Sequence, residues 1–323
     1  GRASCDFHVS AKMANLRSAA SDVLRAATGA SLKRIRVGGV VEHFNTPWHT
    51  AIASGRFEAA GLRVEWTDYP GGTGAMTRAL REDDLDVAVL LTEGIVTDLH
   101  RGNPSKIVGT FVSTPLTWGV HTAGPSKWRD VSELSGATYA VSRMGSGSHL
   151  MAMVDAQQRG WSPADMKFKI VGDLQGARKA LAEGKADAFM WEKFTTKHLV
   201  DSGEWRKVGE VPTPWPCFAI AATELSIQSS ALELLTMMSV LEQEATELAA
   251  SDSVCETVAT LYGQQEEDIR EWIGSMRWSC RPVVSHAVLT QVMSALVDAR
   301  VLSATELLPP TALTAEICKD GIP

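Results

Sequence analysis

Apolar positions along the chain alternate between two rhythms. Short runs with period two or continuous apolar character predict strands over 35–40, 62–66, 86–91, 106–111 and 117–121. Between them, apolar residues spaced three and four apart predict helices over 49–60, 73–81 and 95–101, the first stopped by Gly61 as a C-cap would stop it. The theme then repeats. Strands are expected over 138–141, 168–171, 186–191, 205–211 and 218–222, with a short helix over 128–134, one running to Arg159 and one over 174–183. From Ser229 onward the pattern is largely helical, over 231–250, 253–262, 266–274 and 285–299. Strands alternating with helices give an α/β architecture. Two such runs in one chain give two lobes.

Two turns stand out against this pattern. Ser142-Arg143-Met144-Gly145-Ser146-Gly147-Ser148-His149 follows the apolar run 137–141, and Pro70-Gly71-Gly72-Thr73-Gly74-Ala75 lies in the first half. Each joins a strand to a helix. Such residues cap helices as a matter of course, and they also let backbone N–H groups and hydroxyls hold an anion or a carbonyl. One turn in each half points to a ligand held between two lobes. In open α/β sheets the crevice lies beyond the carboxyl ends of the strands.

The strand ends supply the candidate site residues, each with an alternative structural use. His43, Asn45 and Trp48 follow the first strand and offer polar groups and an aromatic wall, or pack on their own lobe. Gly72, Thr73 and Gly74 start a helix. Thr92 and Glu93 end an apolar strand, where a carboxylate binds an amine or ring nitrogen, or caps the next helix. Ser142, Gly145, Ser146, Gly147, Ser148 and His149 form the second turn, and Trp191 and Glu192 end a second-lobe strand. Trp118 and Trp215 suit ligand stacking or core packing equally.

Composition narrows the classes. The 323 residues suffice for two domains. A 45% hydrophobic, 21% charged chain with net charge −7 and no basic run argues against a nucleic-acid partner. The apolar runs are strand-sized, too short to span a membrane. Five scattered cysteines without a CxxC pair argue against zinc and a disulfide framework, and suit a reducing compartment. No metal or cofactor site is expected. Residues 1–32 form an Ala/Ser/Arg-rich extension without a secretory hydrophobic region, read as an organelle-targeting remnant or an amphipathic helix. The expected location is therefore intracellular, cytoplasmic or organellar.

Longer segments carry a resemblance. Residues 48–62, WHTAIASGRFEAAGL, with Gly71-Gly72-Thr73 and the 80–89 stretch, resemble the type II periplasmic-binding-protein superfamily, in particular its NMT1/THI5-like branch. In the second half, LSGAT at 134–138 and AEGKADA at 182–188 match the same pattern. Glu42-His43-Phe44-Asn45 with Pro47-Trp48, and residues 214–218, resemble its intracellular eukaryotic members. The likeness implies a two-lobe α/β fold with two crossover strands, near 118–123 and 217–222, and a ligand cleft that closes by hinge motion. Lobe 1 would comprise 33–120 and 221–323, and lobe 2 would comprise 121–220.

One class in that branch makes the thiamine pyrimidine from pyridoxal phosphate, using a lysine and a cysteine-rich run. Here Ser54 stands at the lysine position, and the cysteine run is reduced to Cys217. Serine cannot form a Schiff base. The reading is a non-enzymatic small-molecule-binding protein, its ligand heterocyclic, amine-bearing or anionic. The alternatives are an enzyme of pyrimidine or cofactor synthesis, and a fold recruited as a structural subunit with a protein partner.

Overall fold

The computed structural model describes residues 31–323. The 1–32 extension lies outside them except for its last two residues. In chain order the strands are β1 (Lys33–Gly39), β2 (Leu62–Asp68), β3 (Val87–Leu91), β4 (Ser105–Val112), β5 (Thr117–Ala123), β6 (Thr138–Val141), β7 (Lys167–Ile170), β8 (Ala188–Glu192), β9 (Trp205–Pro212), β10 (Phe218–Thr223) and β11 (Trp278–Arg281). The helices are α1 (Thr46–Ala53), α2 (Arg56–Ala59), α3 (Thr73–Arg81), α4 (Thr92–Leu99), α5 (Gly147–Gln158), α6 (Leu174–Ala182), α7 (Lys197–Asp201), α8 (Glu224–Ala250), α9 (Val254–Tyr262), α10 (Glu266–Ser275) and α11 (His286–Asp298).

Two sheets form two lobes. The first has the order β11-β4-β10-β3-β1-β2 and the second β7-β6-β8-β5-β9. β1 runs parallel to β2 and β3, while β10 enters antiparallel between β3 and β4. Every residue of β3 and β10 is buried, because helices cover both faces of the sheet centre. β9, at the edge of the second sheet, buries Trp205, Val208 and Val211 and leaves the residues between them partly or fully exposed, with a register irregularity against β5 between Val120 and His121. Each large apolar side chain buried this way contributes about 1.5–3 kcal/mol.

The chain crosses between the sheets at 113–116 and 213–217. β5 pairs wholly within the second sheet and β10 wholly within the first, so the sequence-based boundaries at 120/121 and 220/221 cut through these strands.

Several elements differ from the pattern reading. The helix expected over 49–60 is two helices, α1 and α2, because Gly55 adopts a left-handed conformation (φ 74°) that breaks it. α4 starts at Thr92 rather than 95, so Glu93 lies in a first turn rather than at a strand end. The short helix over 128–134 is a 3-10 turn over Val131–Leu134. α8 starts at Glu224 and is kinked at Ser230. The largely helical segment after Ser229 also contains β11, between the helices expected over 266–274 and 285–299, and it joins the free edge of β4.

Candidate functional site

The two glycine turns face each other across a cavity between the lobes, about 500 Å³ of space partly open to solvent. Its walls come from the ends of β1, β2, β3, β6 and β8 and from the crossing segments. Apolar surface is supplied by Leu91, Leu116, Trp118, Trp191 and Phe218.

One end of the cavity is rich in hydrogen-bond donors. α3 begins after Gly72 (φ 66°) with no side-chain cap. Among the described residues no group accepts from the N–H of Thr73 or Gly74. The Thr73 hydroxyl instead accepts from the Leu91 N–H at 3.3 Å. α5 opens opposite. Ser146 Oγ caps it by accepting from His149 N at 3.4 Å, and Ser148 Oγ accepts from Ser142 N at 3.2 Å. The loop's hydroxyls thus serve its own backbone, while the N–H groups of Gly147 and Ser148 stay unused among the described residues. The partial positive charge of both helix starts points at the cavity.

Arg143 completes this end. It reaches from the second lobe to the first, donating from Nη1 to the carbonyl oxygen of Gly71 at 2.7 Å. Among the described residues no carboxylate pairs with it, and burial holds its pKa below the ordinary arginine value. The guanidinium lies on Gly74, where an added Cβ would fall 2.0 Å from Nη2. Gly147 allows a matching approach, since its Cβ would sit 2.4 Å from Leu91 Cδ1 of the other lobe. Both glycines are what let the lobes close this tightly.

The other end is acidic. Glu42, just after β1, is buried against the cavity with no side-chain hydrogen bond or ion pair among the described residues. Burial, and then the nearby Glu192, push its carboxyl up to about 8. Glu192 closes β8. Its Oε2 accepts from the N–H groups of Phe194 and Thr195 and from the Thr195 hydroxyl at 2.7–3.0 Å. Burial still outweighs these bonds and raises it to about 7.

The sequence candidates divide accordingly. Gly72, Thr73, Trp118, Ser142, Ser146, Gly147, Ser148, Trp191 and Glu192 line this cavity. The rest lie behind it or away from it. Trp48 is fully buried among Phe57, Trp66 and Phe111. The Asn45 amide donates to Val40 O, pinning the loop. His43 is buried between Phe44 and Trp272, beside a separate groove that also touches Glu42. Its Nε2 is 4.0 Å from Glu192 Oε2, but burial drives its pKa down to about 3 and keeps it neutral. Gly74 lies under Arg143. The Thr92 hydroxyl donates to Pro216 O. Glu93 accepts from Trp215 Nε1 at 2.9 Å, so these two tie α4 to the second crossing segment. Gly145 donates its N–H to His149 Nδ1, and the His149 ring packs edge-on against Phe168.

Glu42 and Arg143 were not among the candidates. Glu42 stands three residues past the end of β1, inside the Glu42-His43-Phe44-Asn45 segment, and Arg143 is the second residue of the Ser142–His149 turn. Ser54, where the resemblance set out above would put a lysine, caps α1 by donating to Thr50 O.

A family model described as Ca3427-like PBP matches residues 118–211. The Candida albicans CA3427 gene product, described as defining a new family with the generic periplasmic binding protein fold, superposes with a TM-score of 0.82 at 25% identity. That match covers 90% of this chain and 98% of the other. The chain has the type II periplasmic-binding-protein fold. The alkanesulfonate-binding protein SsuA from Xanthomonas axonopodis pv. citri, solved with MOPS bound, is similar at a TM-score of 0.74 and 17% identity, over 88% of this chain and 98% of its own. The aliphatic sulphonate binding protein of Escherichia coli follows at 0.68 and 15%, over 90% and 94%. No curated protein matches by sequence. Among the described residues of this periplasmic-binding-protein-like chain, no helix is long and apolar enough to cross a membrane, and no cluster of side chains suits a metal ion.

Proposed function

We propose that the protein captures a small organic molecule bearing an anionic group by closing its two lobes around it, without transforming it. The carrying observation is the donor end of the cleft. Four backbone N–H groups, unused among the described residues, converge there at two facing helix starts with an arginine that no described carboxylate ion-pairs. A carboxylate, sulfonate or phosphate would satisfy all of them at once. Ring stacking on Trp118 and Trp191 would hold the remainder of the molecule. Two of the similar structures are sulfonate-binding proteins, which supports a binding role. The reading includes placement in the NMT1/THI5-like branch, supported by the 48–62 segment. It also includes an intracellular setting, supported by the unpaired Cys217, Cys255, Cys280 and Cys318.

The test is native mass spectrometry of protein purified from its own source, followed by release and identification of bound compounds. A stoichiometric organic anion is expected, and returning it to stripped protein should raise Tm by linkage. Ser146→Trp, which fills the cavity beside both helix starts, should abolish that rise in a protein that still folds, its unliganded Tm lowered by the loss of the α5 cap. A full ligand response in that variant would place the site elsewhere.

A further inference from the structure

Glu42 belongs to the first lobe and Glu192 to the second, and both line the one cavity. Among the described residues neither is held in an ion pair with a lysine or arginine, and the Lys193 charge acts on Glu192 only from the rim. The groups packed around them are His43, Glu93, Cys217, Tyr262 and Lys193. His43 is held neutral by burial. Glu93 is another buried acid, whose Oε2 is taken by Trp215. The Cys217 thiol and Tyr262 phenol are pushed up by burial and stay protonated. Lys193 turns outward to Glu271 at 2.8 Å and Glu210 at 3.5 Å. Arg143 is committed to Gly71 O and the donor end. Two carboxyls from opposite lobes therefore share a buried space in which, among the described residues, no cation sits between them and Glu42 has no polar partner.

We propose that the ligand also carries a cationic nitrogen head group, an amine or amidine, which sits between Glu42 and Glu192 and bridges the lobes. The inference rests on the cleft being the ligand site. It extends that reading by adding a positive charge to the ligand at the end opposite its anion. Burying two like charges together is unfavourable, so without a cation the pair is kept neutral by protons. Both carboxyls are held near or above neutral pH. Arrival of a cation reverses the balance. An O–H bond of the carboxyl breaks, its proton goes to buffer, and the carboxylate left behind pairs with the ligand nitrogen. Ligand capture and proton release are then one event. A neutral ligand accepting hydrogen bonds from protonated carboxyls would release nothing.

Benzamidinium and its neutral isostere benzamide separate these cases. Their binding to the whole protein is followed by tryptophan fluorescence, since Trp118 and Trp191 wall the cavity, and by calorimetry in two buffers of different ionisation enthalpy. Benzamidinium should bind at least about tenfold more tightly than benzamide. It should release close to one proton at neutral pH, and fewer as the pH is raised past the pKa of the pair. E42Q should remove most of this preference and the proton release. E192Q, which keeps an acceptor for the Phe194 and Thr195 N–H groups, should do the same as an independent check. Equal binding of the two probes, no binding of benzamidinium, or binding without proton release overturns the proposal. Ethanesulfonate in parallel tells the two readings apart. Stabilisation by ethanesulfonate but not benzamidinium leaves the anion-binding role standing and removes the cationic head group. Stabilisation by neither, with no compound retained from the source, removes both.

Discussion

The two ends of the cleft solve opposite electrostatic problems with different materials. The donor end uses backbone: two helix starts whose positive poles are fixed by the fold, with Arg143 as the charged side chain that lines the cavity there. The acid end uses side chains whose charge depends on burial, and it changes with pH and with what fills the cavity. A pole built from backbone cannot be titrated or removed by one substitution. A pole built from buried carboxyls can be altered by both. The donor end therefore suits constant recognition of an anion, and the acid end suits a response.

Arg143→Ala is the sharpest way to break the comparison. A charge-assisted hydrogen bond contributes about 1.5–3 kcal/mol, so affinity for an anionic ligand should fall about 10- to 100-fold. Benzamidinium should bind as well as to wild type or slightly better, since a nearby positive charge has gone. Titration calorimetry with the two probes reads both. A parallel loss for both would mean that the ends are not independent.

The next effect separates the ends by pH. Glu42 has a folded pKa of about 8 against an ordinary value of 4.5. Its contribution to stability is thus full below the ordinary value and is lost as pH rises to about 8. Glu192 and Glu93, each raised to about 7, act in the same sense over a narrower window. His43 acts in the opposite sense. Lowered to about 3, it contributes stability above its ordinary 6.5 that is lost as pH falls toward 3. Glu42→Gln should therefore melt about 2–6 °C above wild type at alkaline pH, with the difference vanishing under acid conditions. Calorimetric melts across pH check it. Parallel curves for the two proteins would show that the Glu42 carboxyl is not buried in a closed cleft.

The donor end was legible in the sequence because glycines and hydroxyls after an apolar run announce a helix start. The alternation of strands and helices was legible for a similar reason, since periodicity is local. The acid end was half visible. Glu192 ends a recognisable strand, but Glu42 sits in a loop buried only in the folded chain, where it shares a groove wall with Tyr262 and Asp268, more than two hundred residues further on. Trp48 and Trp118 look equivalent along the chain. Only tertiary packing sends one into the core against Phe57 and Phe111 and the other to the cavity wall. Glu93 and Trp215, 122 positions apart, find each other only once β10 has threaded between β3 and β4. β11 has no alternation to detect and includes Cys280 at a left-handed φ of 57°, so a pattern search passes over it.

The smallest effect concerns the rim that holds both ends shut. Lys193 of the second lobe meets Glu271 of the first at 2.8 Å, and Lys197 lies 3.6 Å from Asp268 on the same helix. Glu271 and Lys197 are exposed or partly exposed, so each pair contributes only about 0–1 kcal/mol and is screened by salt. Lys193→Ala should weaken binding of the anionic and cationic probes equally, by a few-fold at most, because closure and not recognition is affected. The loss should shrink as salt is added. Affinity of both probes at low and high ionic strength measures this. A loss confined to benzamidinium would mean instead that the Lys193 charge acts on Glu192 through the cleft, so that rim and acid end work as one unit.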